Sequence, residues 1–406
     1  MYNEKDTIYA LATIKGKAGV AVIRVSGTKS KEVLKIICKK ENLTPRMMTN
    51  TLFYDSEEIV DKGLVVFFEN PKSFTGEDVL ELHIHSSLAV IKRLSKVLGE
   101  IEGVRLADRG EFSRRAVMNN KMDLTEAEGL IDLINAETEF QRKIALKQYS
   151  GEQRKLFEEW KEDLTKSLAW IEAYLDFPEE EVSEDVTVSI QNLINKLSTA
   201  ISTMLSTKSN GEAIRTGYKI AIIGKPNAGK SSLLNALTKR NVAIVSDIEG
   251  TTRDVIEAYI DLDGYPITFL DTAGIRNSED IIEAEGVRRA LEVAKDADLI
   301  LYLKPISDFS TDDFEKDFNQ SNVLKVLTKS DLPYMVMNDN SDRDDFIKCS
   351  VKAPHGVDNL MKAISEKISN DLSDINDTLL TRERHRQALK SCLDNLFGQR
   401  TIIYSH

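Results

Sequence analysis

The stretch "YKIAIIGKPNAGKSS", residues 218–232, decides the fold of the C-terminal half of this chain. Its first seven residues form a short apolar run of the kind found in strands buried on both faces. Gly224, four intervening residues, then Gly229, Lys230 and Ser231 give the Gly-x4-Gly-Lys-Ser/Thr pattern of a phosphate-binding loop. Chemistry explains the spacing. Glycines let the backbone curl so that successive N–H groups face one phosphate chain. Lys230 adds a cation for the β and γ phosphates, and the hydroxyl of Ser231, opening the next helix, suits Mg2+. Asn227, Ala228 and Ser232 complete the candidate loop.

Toward the C-terminus the pattern repeats. "ITFLDTAG", "LILYLK" and "NVLKVLTKSD" are short buried-type strands separated by helical or loop segments. That alternation predicts a mostly parallel sheet with helices on both faces. "GTTRD", from Gly250 to Asp254, offers Thr251 or Thr252 to Mg2+ and the γ-phosphate. In "DTAG", Asp271 ends a strand, where it can hold the metal through water; Thr272 and Ala273 follow, and Gly274 can donate its N–H to the γ-phosphate. "TKSD", residues 328–331, places Lys329 and Asp331 after another strand. The Asp331 carboxylate can accept from guanine N1–H and its amino group, a donor pair that adenine lacks. "CSVK", residues 349–352, follows the next strand, where backbone N–H groups would meet the guanine oxygen. Order and strand-end placement together indicate GTP and Mg2+ binding. Ile275, directly after Gly274, has no side-chain hydrogen-bonding group. A group that handles the attacking water must lie elsewhere, and Glu279, Asp280, Glu283 and Glu285 are the local candidates. Such an acidic segment is more often the solvated face of a helix.

The remaining sequence has two textures. Residues 1–119 mix strand-like runs, "GVAVIRVSG" and "GLVVFFEN", with a helical stretch near 87–99, and read as a small α/β domain. From 120 to 213 the pattern is amphipathic helix: Leu193, Ile194, Leu197, Ile201 and Leu205 fall on one face, and Leu124, Ile131 and Ile134 onward to Trp170 read the same way. "DFPEEEVSED" between them reads as a solvated acidic connection. Residues 214–376 hold the nucleotide motifs. Residues 377–406 turn helical again, and so short a piece needs a packing partner, which the helical middle section can supply. With 406 residues, 41% apolar and 30% charged, two or three globular domains are expected. The net charge of −12 disfavours a nucleic-acid backbone except at a local basic patch or through a partner. Three separated cysteines, Cys38, Cys349 and Cys392, argue for a reducing compartment and against a disulfide framework or zinc site. The polar N-terminus and the absence of an apolar run near 20 residues point to a cytoplasmic protein with no membrane span.

Beyond the nucleotide motifs, "AVIRVSG" (21–27), "PKSFTGEDVLELHIH" (71–85), "GEFSRRAVMNNKMDLTEAEGLIDLI" (110–134) and "IEAYLDFPEE" (171–180) resemble the MnmE (TrmE) family of tRNA-modification GTPases. The resemblance runs from about residue 1 to 400. It implies an α/β multidomain chain: an N-terminal α+β tetrahydrofolate-binding and dimerisation domain, a discontinuous α-helical domain, and an inserted Ras-like P-loop GTPase domain. It implies a homodimer, of α2β2 type with a flavin-dependent MnmG (GidA) partner that carries FAD, building a C5 substituent on the wobble uridine of certain tRNAs. Hydrolysis in the family occurs when two GTPase domains meet across a bound K+. Asn227 then matches the potassium-ligating asparagine, although beside Pro226 it also reads as a turn former. "SDIEGTT", with Ser246, Asp247, Ile248 and Thr251, matches the segment that wraps the ion. Counting twelve residues from Asp271 assigns the water-orienting carboxylate to Glu283. Arg24, Glu81 and Lys121 match the positions for 5,10-methylenetetrahydrofolate or its 5-formyl analogue, with surface ion pairing as the bland alternative.

Three departures carry expectations. His85-Ser86-Ser87 stands where the family has His-Gly-Gly, and serine would strain or narrow the pocket if close backbone approach or a positive φ were needed there. Thr328 replaces the usual Asn, which should cost side-chain contacts and about 0.5–1.5 kcal/mol of affinity. The chain stops at "GQRTIIYSH" without the family's Cys-Ile-Gly-Lys tail, so a GTP-binding regulator or scaffold without modification activity is the alternative function. A pure switch GTPase of the ribosome-assembly kind is a third reading, disfavoured by the N-terminal motifs.

Overall fold

Alternating apolar residues build the first sheet. The computed structural model describes residues 6–176, 184–206, 211–240, 256–270, 293–308, 322–333, 345–372 and 380–403. The chain divides into two units, residues 1–127 and 128–406. The first holds β1 (Thr7–Leu11), β2 (Ala21–Ser26), α1 (Ser30–Cys38), β3 (Thr49–Asp55), β4 (Glu58–Phe68), β5 (Val79–Ile84), α2 (Leu88–Glu100), β6 (Val104–Leu106) and α3 (Glu111–Met118). Its sheet order is β3-β4-β5-β2-β1-β6, antiparallel except where β1 meets β6. Ala21, Ile23 and Val25 of β2 and Leu80, Leu82 and Ile84 of β5 enter a core shared with Val33, Leu34, Leu94 and Leu98 of α1 and α2. Period two then turns Arg24 and Glu81, which are register partners, away from that core. The helix expected near 87–99 is α2, and α1 is an additional helix within the β-rich texture.

The boundary between the units falls inside α4 (Leu124–Ile134). The second unit continues with α5 (Glu139–Tyr149), α6 (Glu152–Asp176), α7 (Glu184–Ser206), α8 (Gly211–Thr216), β7 (Tyr218–Gly224), α9 (Lys230–Arg240), β8 (Ile256–Leu262) and β9 (Tyr265–Leu270). β10 (Leu299–Pro305), β11 (Val323–Thr328), β12 (Ile347–Lys348), α10 (Asp358–Asp371) and α11 (Glu383–Ile403) complete it. Its sheet order is β12-β11-β10-β7-β9-β8, and only the β8–β9 pair is antiparallel. The mostly parallel sheet read from the alternation of strands is therefore present. Both faces are covered: Ile220 and Ile222 of β7 face the core of α9 and α10, whereas Ala221 and Ile223 face Ala294.

Helical packing departs from the sequence reading on α4 and at Trp170 of α6, which is exposed. On α7, Ile194, Leu197 and Ile201 pack with Leu380, Leu389 and Leu396, so α11 shares one core with α6 and α7, to which Phe157, Trp160 and Cys392 also belong. On α4, by contrast, Leu124, Ile131 and Ile134 are exposed. That helix meets α5 through Gly129, where a Cβ would lie 2.5 Å from the Tyr149 backbone nitrogen. A close approach at a glycine turns the bulkier apolar residues outward, which periodicity alone does not reveal. A capping box formed by Thr138 and Gln141 starts α5. The helix then lays Phe140 against Tyr265, 4.9 Å between ring centres, and sends Ile144 into the sheet core. Of the acidic connection "DFPEEEVSED", residues 177–183 lie outside the described residues. Among the described residues, no helix is long and apolar enough to cross a membrane.

Candidate functional site

The C-terminal ends of β7, β11 and β12 bring three loops to one edge of the parallel sheet, where ligands bind in folds of this kind. The first loop is the phosphate motif. Gly224 is needed for space, because a Cβ there would sit 2.4 Å from the Leu303 carbonyl oxygen. Gly229 is needed for conformation, with φ 97°. Asn227 takes the left-handed region at φ 64°, which asparagine tolerates better than most residues. Lys230 Nζ donates to the carbonyls of Gly224 at 2.7 Å and Lys225 at 3.1 Å, and burial lowers its pKa. Ser231 and Ser232 stand exposed in the first turn of α9, which contains no acidic residue to offset the helix dipole. Their hydroxyls, with the exposed Asn227 amide, are hard oxygen donors that fit Mg2+ or K+ chemistry.

The second and third loops form the base side. Asp331 Oδ1 accepts a hydrogen bond from Ser350 Oγ at 2.6 Å, and this bond is the main reason the carboxyl lies below its ordinary range. Ser350 is buried and in turn accepts from the backbone N–H groups of Lys352 and Ala353, both at 3.2 Å. Gly356 closes this loop tightly, since a Cβ there would meet the Ser350 carbonyl oxygen at 2.1 Å. Lys329, on the same edge, adopts φ 58°. A cavity of about 130 Å³ opens between Gly229, Ser232, Thr328, Asp331, Cys349 and Lys352, with Lys329 also at its wall. The cavity therefore unites the phosphate loop, "TKSD" and "CSVK". Thr328 Oγ1 donates to the buried Ala228 carbonyl at 2.6 Å, tying base loop to phosphate loop.

The expected residues Ser246, Asp247, Ile248, Gly250, Thr251, Thr252, Asp271, Thr272, Ala273, Gly274 and Glu283 lie outside the described residues. The described hairpin β8–β9 runs between those two segments, and β9 leaves the sheet parallel to β7 with Leu270 opposite Ala221. Among the described residues, no group of three or more His, Cys, Asp or Glu side chains is placed to hold a metal.

In the N-terminal unit, Arg24 Nε donates to Glu81 Oε1 at 2.8 Å, and the guanidinium lies 5.2 Å from the ring centre of Phe74 and 5.8 Å from that of Phe112. His83 Nε2, 3.6 Å from Glu81 Oε2, is buried without a hydrogen-bond partner. Lys121 Nζ donates to the Pro71 carbonyl at 2.8 Å, on the loop that also carries Phe74. Arg24 and Glu81 are thus brought together as an ion pair, and Lys121 is held beside the loop that covers Arg24. The cation, the carboxylate and the flanking rings are chemically suited to a carboxylated heteroaromatic ligand. The strain expected at the serines is absent. Ser86 and Ser87 keep negative φ, and Ser86 Oγ donates to the Gly16 carbonyl at 2.6 Å. Sequence reasoning missed the buried network beneath. Glu111 receives Arg105 at 2.7 Å and Arg115 at 3.0 Å, and Arg115 reaches Glu77 at 3.1 Å. Its signal was the acid–base spacing of four within "GEFSRR".

A phosphate loop facing a guanine-type carboxylate across one edge of a parallel sheet defines a P-loop domain of the GTPase class. Residues 7–121 match the family model described as GTP-binding protein TrmE N-terminus, and residues 124–404 match that of the MnmE helical domain. The tRNA modification GTPase MnmE of Rickettsia bellii (strain OSU 85-389) is 44% identical over 395 residues, covering 96% of this chain and 88% of that protein. Its counterpart from Rickettsia prowazekii (strain Madrid E) is 42% identical over 400 residues, covering 96% and 89%. Among solved structures, the G domain of the T. maritima FeoB iron transporter aligns with 37% of this chain and 98% of its own at 22% identity, with a TM-score of 0.28. The chain belongs to the MnmE family of tRNA modification GTPases.

Proposed function

We propose that this protein is a K+-dependent GTPase which, with a flavin-dependent MnmG-type partner, modifies C5 of the wobble uridine of certain tRNAs in the cytoplasm. The observation that carries the reading is the single cavity joining Gly229 and Ser232 to Asp331 and to Cys349–Lys352. Beside it Lys230 and the first turn of α9 bind phosphates, while Asp331, aimed by Ser350, selects guanine. Ser231 and Thr252 would hold Mg2+, and Asn227 with the Ser246–Thr251 segment would hold K+, which would supply positive charge to phosphoryl transfer. Glu283 orients the attacking water. The Arg24–Glu81 pair and Lys121 receive a tetrahydrofolate in a homodimer of the N-terminal domain. Residues 214–376 form a GTPase domain inserted into the helical one, a reading supported by the core that α11 shares with α6 and α7.

The test is GTP turnover by the purified protein in matched KCl and NaCl, followed by mass spectrometry of wobble uridine after adding the flavoprotein, folate and unmodified tRNA. The reading expects turnover to rise with K+ and a C5 adduct to form only with GTP. GTP turnover indifferent to the cation, or no adduct from the complete mixture, would count against it.

A further inference from the structure

Thr328 ends β11 and is buried at the wall of the base cavity. Its Oγ1 lies 2.6 Å from the Ala228 carbonyl oxygen, and Ala228 is fully buried. A carbonyl oxygen only accepts, and a hydroxyl has a single hydrogen, so that hydrogen belongs to Ala228. What Thr328 turns to the cavity is acceptor capacity and a methyl group. Guanine presents N7 and O6 on its imidazole-side edge, and both are acceptors. Two acceptors do not bond. Asp331 is likewise acceptor-only when ionised, and its partners are the N1–H and amino donors on the opposite edge. The remaining polar side chains at the wall do not replace the missing donor well. Ser232 stands in the first turn of α9 on the phosphate side, Lys329 and Lys352 are exposed, solvated cations, and the buried Cys349 thiol, its pKa pushed up to about 11 by burial, is a weak donor.

We infer that Thr328 sets the base recognition of this chain: it fastens the base loop to the phosphate loop and leaves guanine N7 unread. An amide at this position carries two hydrogens and can serve both ends at once; threonine has one and gives it to Ala228. The inference rests on the guanine-nucleotide reading of the cavity and specifies which atoms of the base are recognised. The chain should therefore accept 7-deazaguanine nucleotides, which have a C–H in place of N7, as readily as guanine nucleotides.

Equilibrium titration of the full chain with GDP and with 7-deaza-GDP, both with Mg2+, tests this. Dissociation constants within about twofold of each other are expected, whereas a loss of about fivefold or more for the 7-deaza analogue overturns the inference, since one neutral hydrogen bond is worth that much. The Thr328→Asn variant is expected to acquire a preference for GDP over 7-deaza-GDP on the order of fivefold. The near-isosteric Thr328→Val is expected to weaken both nucleotides by a similar factor, through loss of the tie to Ala228, and unchanged affinities would overturn that half. Failure of the unsubstituted chain to bind GDP at all overturns the nucleotide reading and the inference together. GDP binding with discrimination against the analogue overturns the inference alone.

Discussion

In the proposed reading, base selection depends on how one carboxylate is aimed. Asp331 is exposed, so water competes for it, and the hydroxyl of Ser350 fixes one of its oxygens while leaving the rest of the carboxylate for the base. Ser350→Ala is expected to weaken GDP binding by on the order of tenfold without changing its stoichiometry, measured by titration calorimetry. Asp331→Asn replaces half of the acceptor pair with a donor and is expected to erase most of the preference for guanine over hypoxanthine nucleotides, read as the ratio of the two affinities. Because hydrogen bonding lowers the Asp331 pKa, nucleotide affinity should stay flat through mildly acidic pH and fall only below the ordinary carboxylate range. The positions of Asp331 and Lys230 at strand ends on one edge of the sheet were legible because they follow from residue type and spacing. The roles of Ser350 and Thr328 were not, since each depends on a partner placed by another strand, 19 and 100 residues away respectively.

Two elements owe their placement to contacts that tolerate little change. On α3, Glu111 is buried, and burial alone would raise its pKa; the opposing hydrogen bonds from Arg105, the Asp108 N–H and Arg115 prevail and lower it to about 2. The sign follows directly. A folded-state pKa below the ordinary 4.5 means that this stabilisation is complete above pH 4.5 and is lost as pH falls toward 2. Glu111→Gln is expected to cost on the order of 3 kcal/mol at neutral pH, because Arg105 and Arg115 lose a buried partner. Melting curves of the variant should also depend less on pH across that acidic window than those of the parent chain. Between α4 and α5, Gly129→Ala would force a methyl onto the Tyr149 backbone, and a loss of about 1–3 kcal/mol is expected by denaturant titration. The helical period of α4 was legible in the sequence. Its packing through Gly129 was not, because a glycine carries no hydrophobic signal and leaves Leu124, Ile131 and Ile134 looking like the buried face.

Across the second unit, α5 connects the parts. One end holds the β8–β9 hairpin through Phe140, whose N–H donates to the Gly264 carbonyl at 3.2 Å, and the other holds the entry to α11 through Gln148 and Thr381 at 2.7 Å. Nearby, Arg382 and Arg384 of the α11 entry pair with Asp132 and Glu128 of α4. Glu283→Ala is expected to abolish most K+-stimulated GTP turnover while leaving GTP affinity nearly intact, and undiminished turnover would remove Glu283 from the proposed mechanism. Sequence was enough for the phosphate-loop motif, the mostly parallel sheet and the strand-end position of Asp331, because these follow from local spacing and two-sided apolar runs. The packing of α11 on the helical section was expected from its short apolar pattern, and the core it shares with α6 and α7 agrees; only the folded chain shows that Arg24 faces Glu81 and that Thr328 reaches Ala228. Each of these pairings joins residues far apart in the chain, and their meeting is set by strand register and helix approach, which no local pattern encodes.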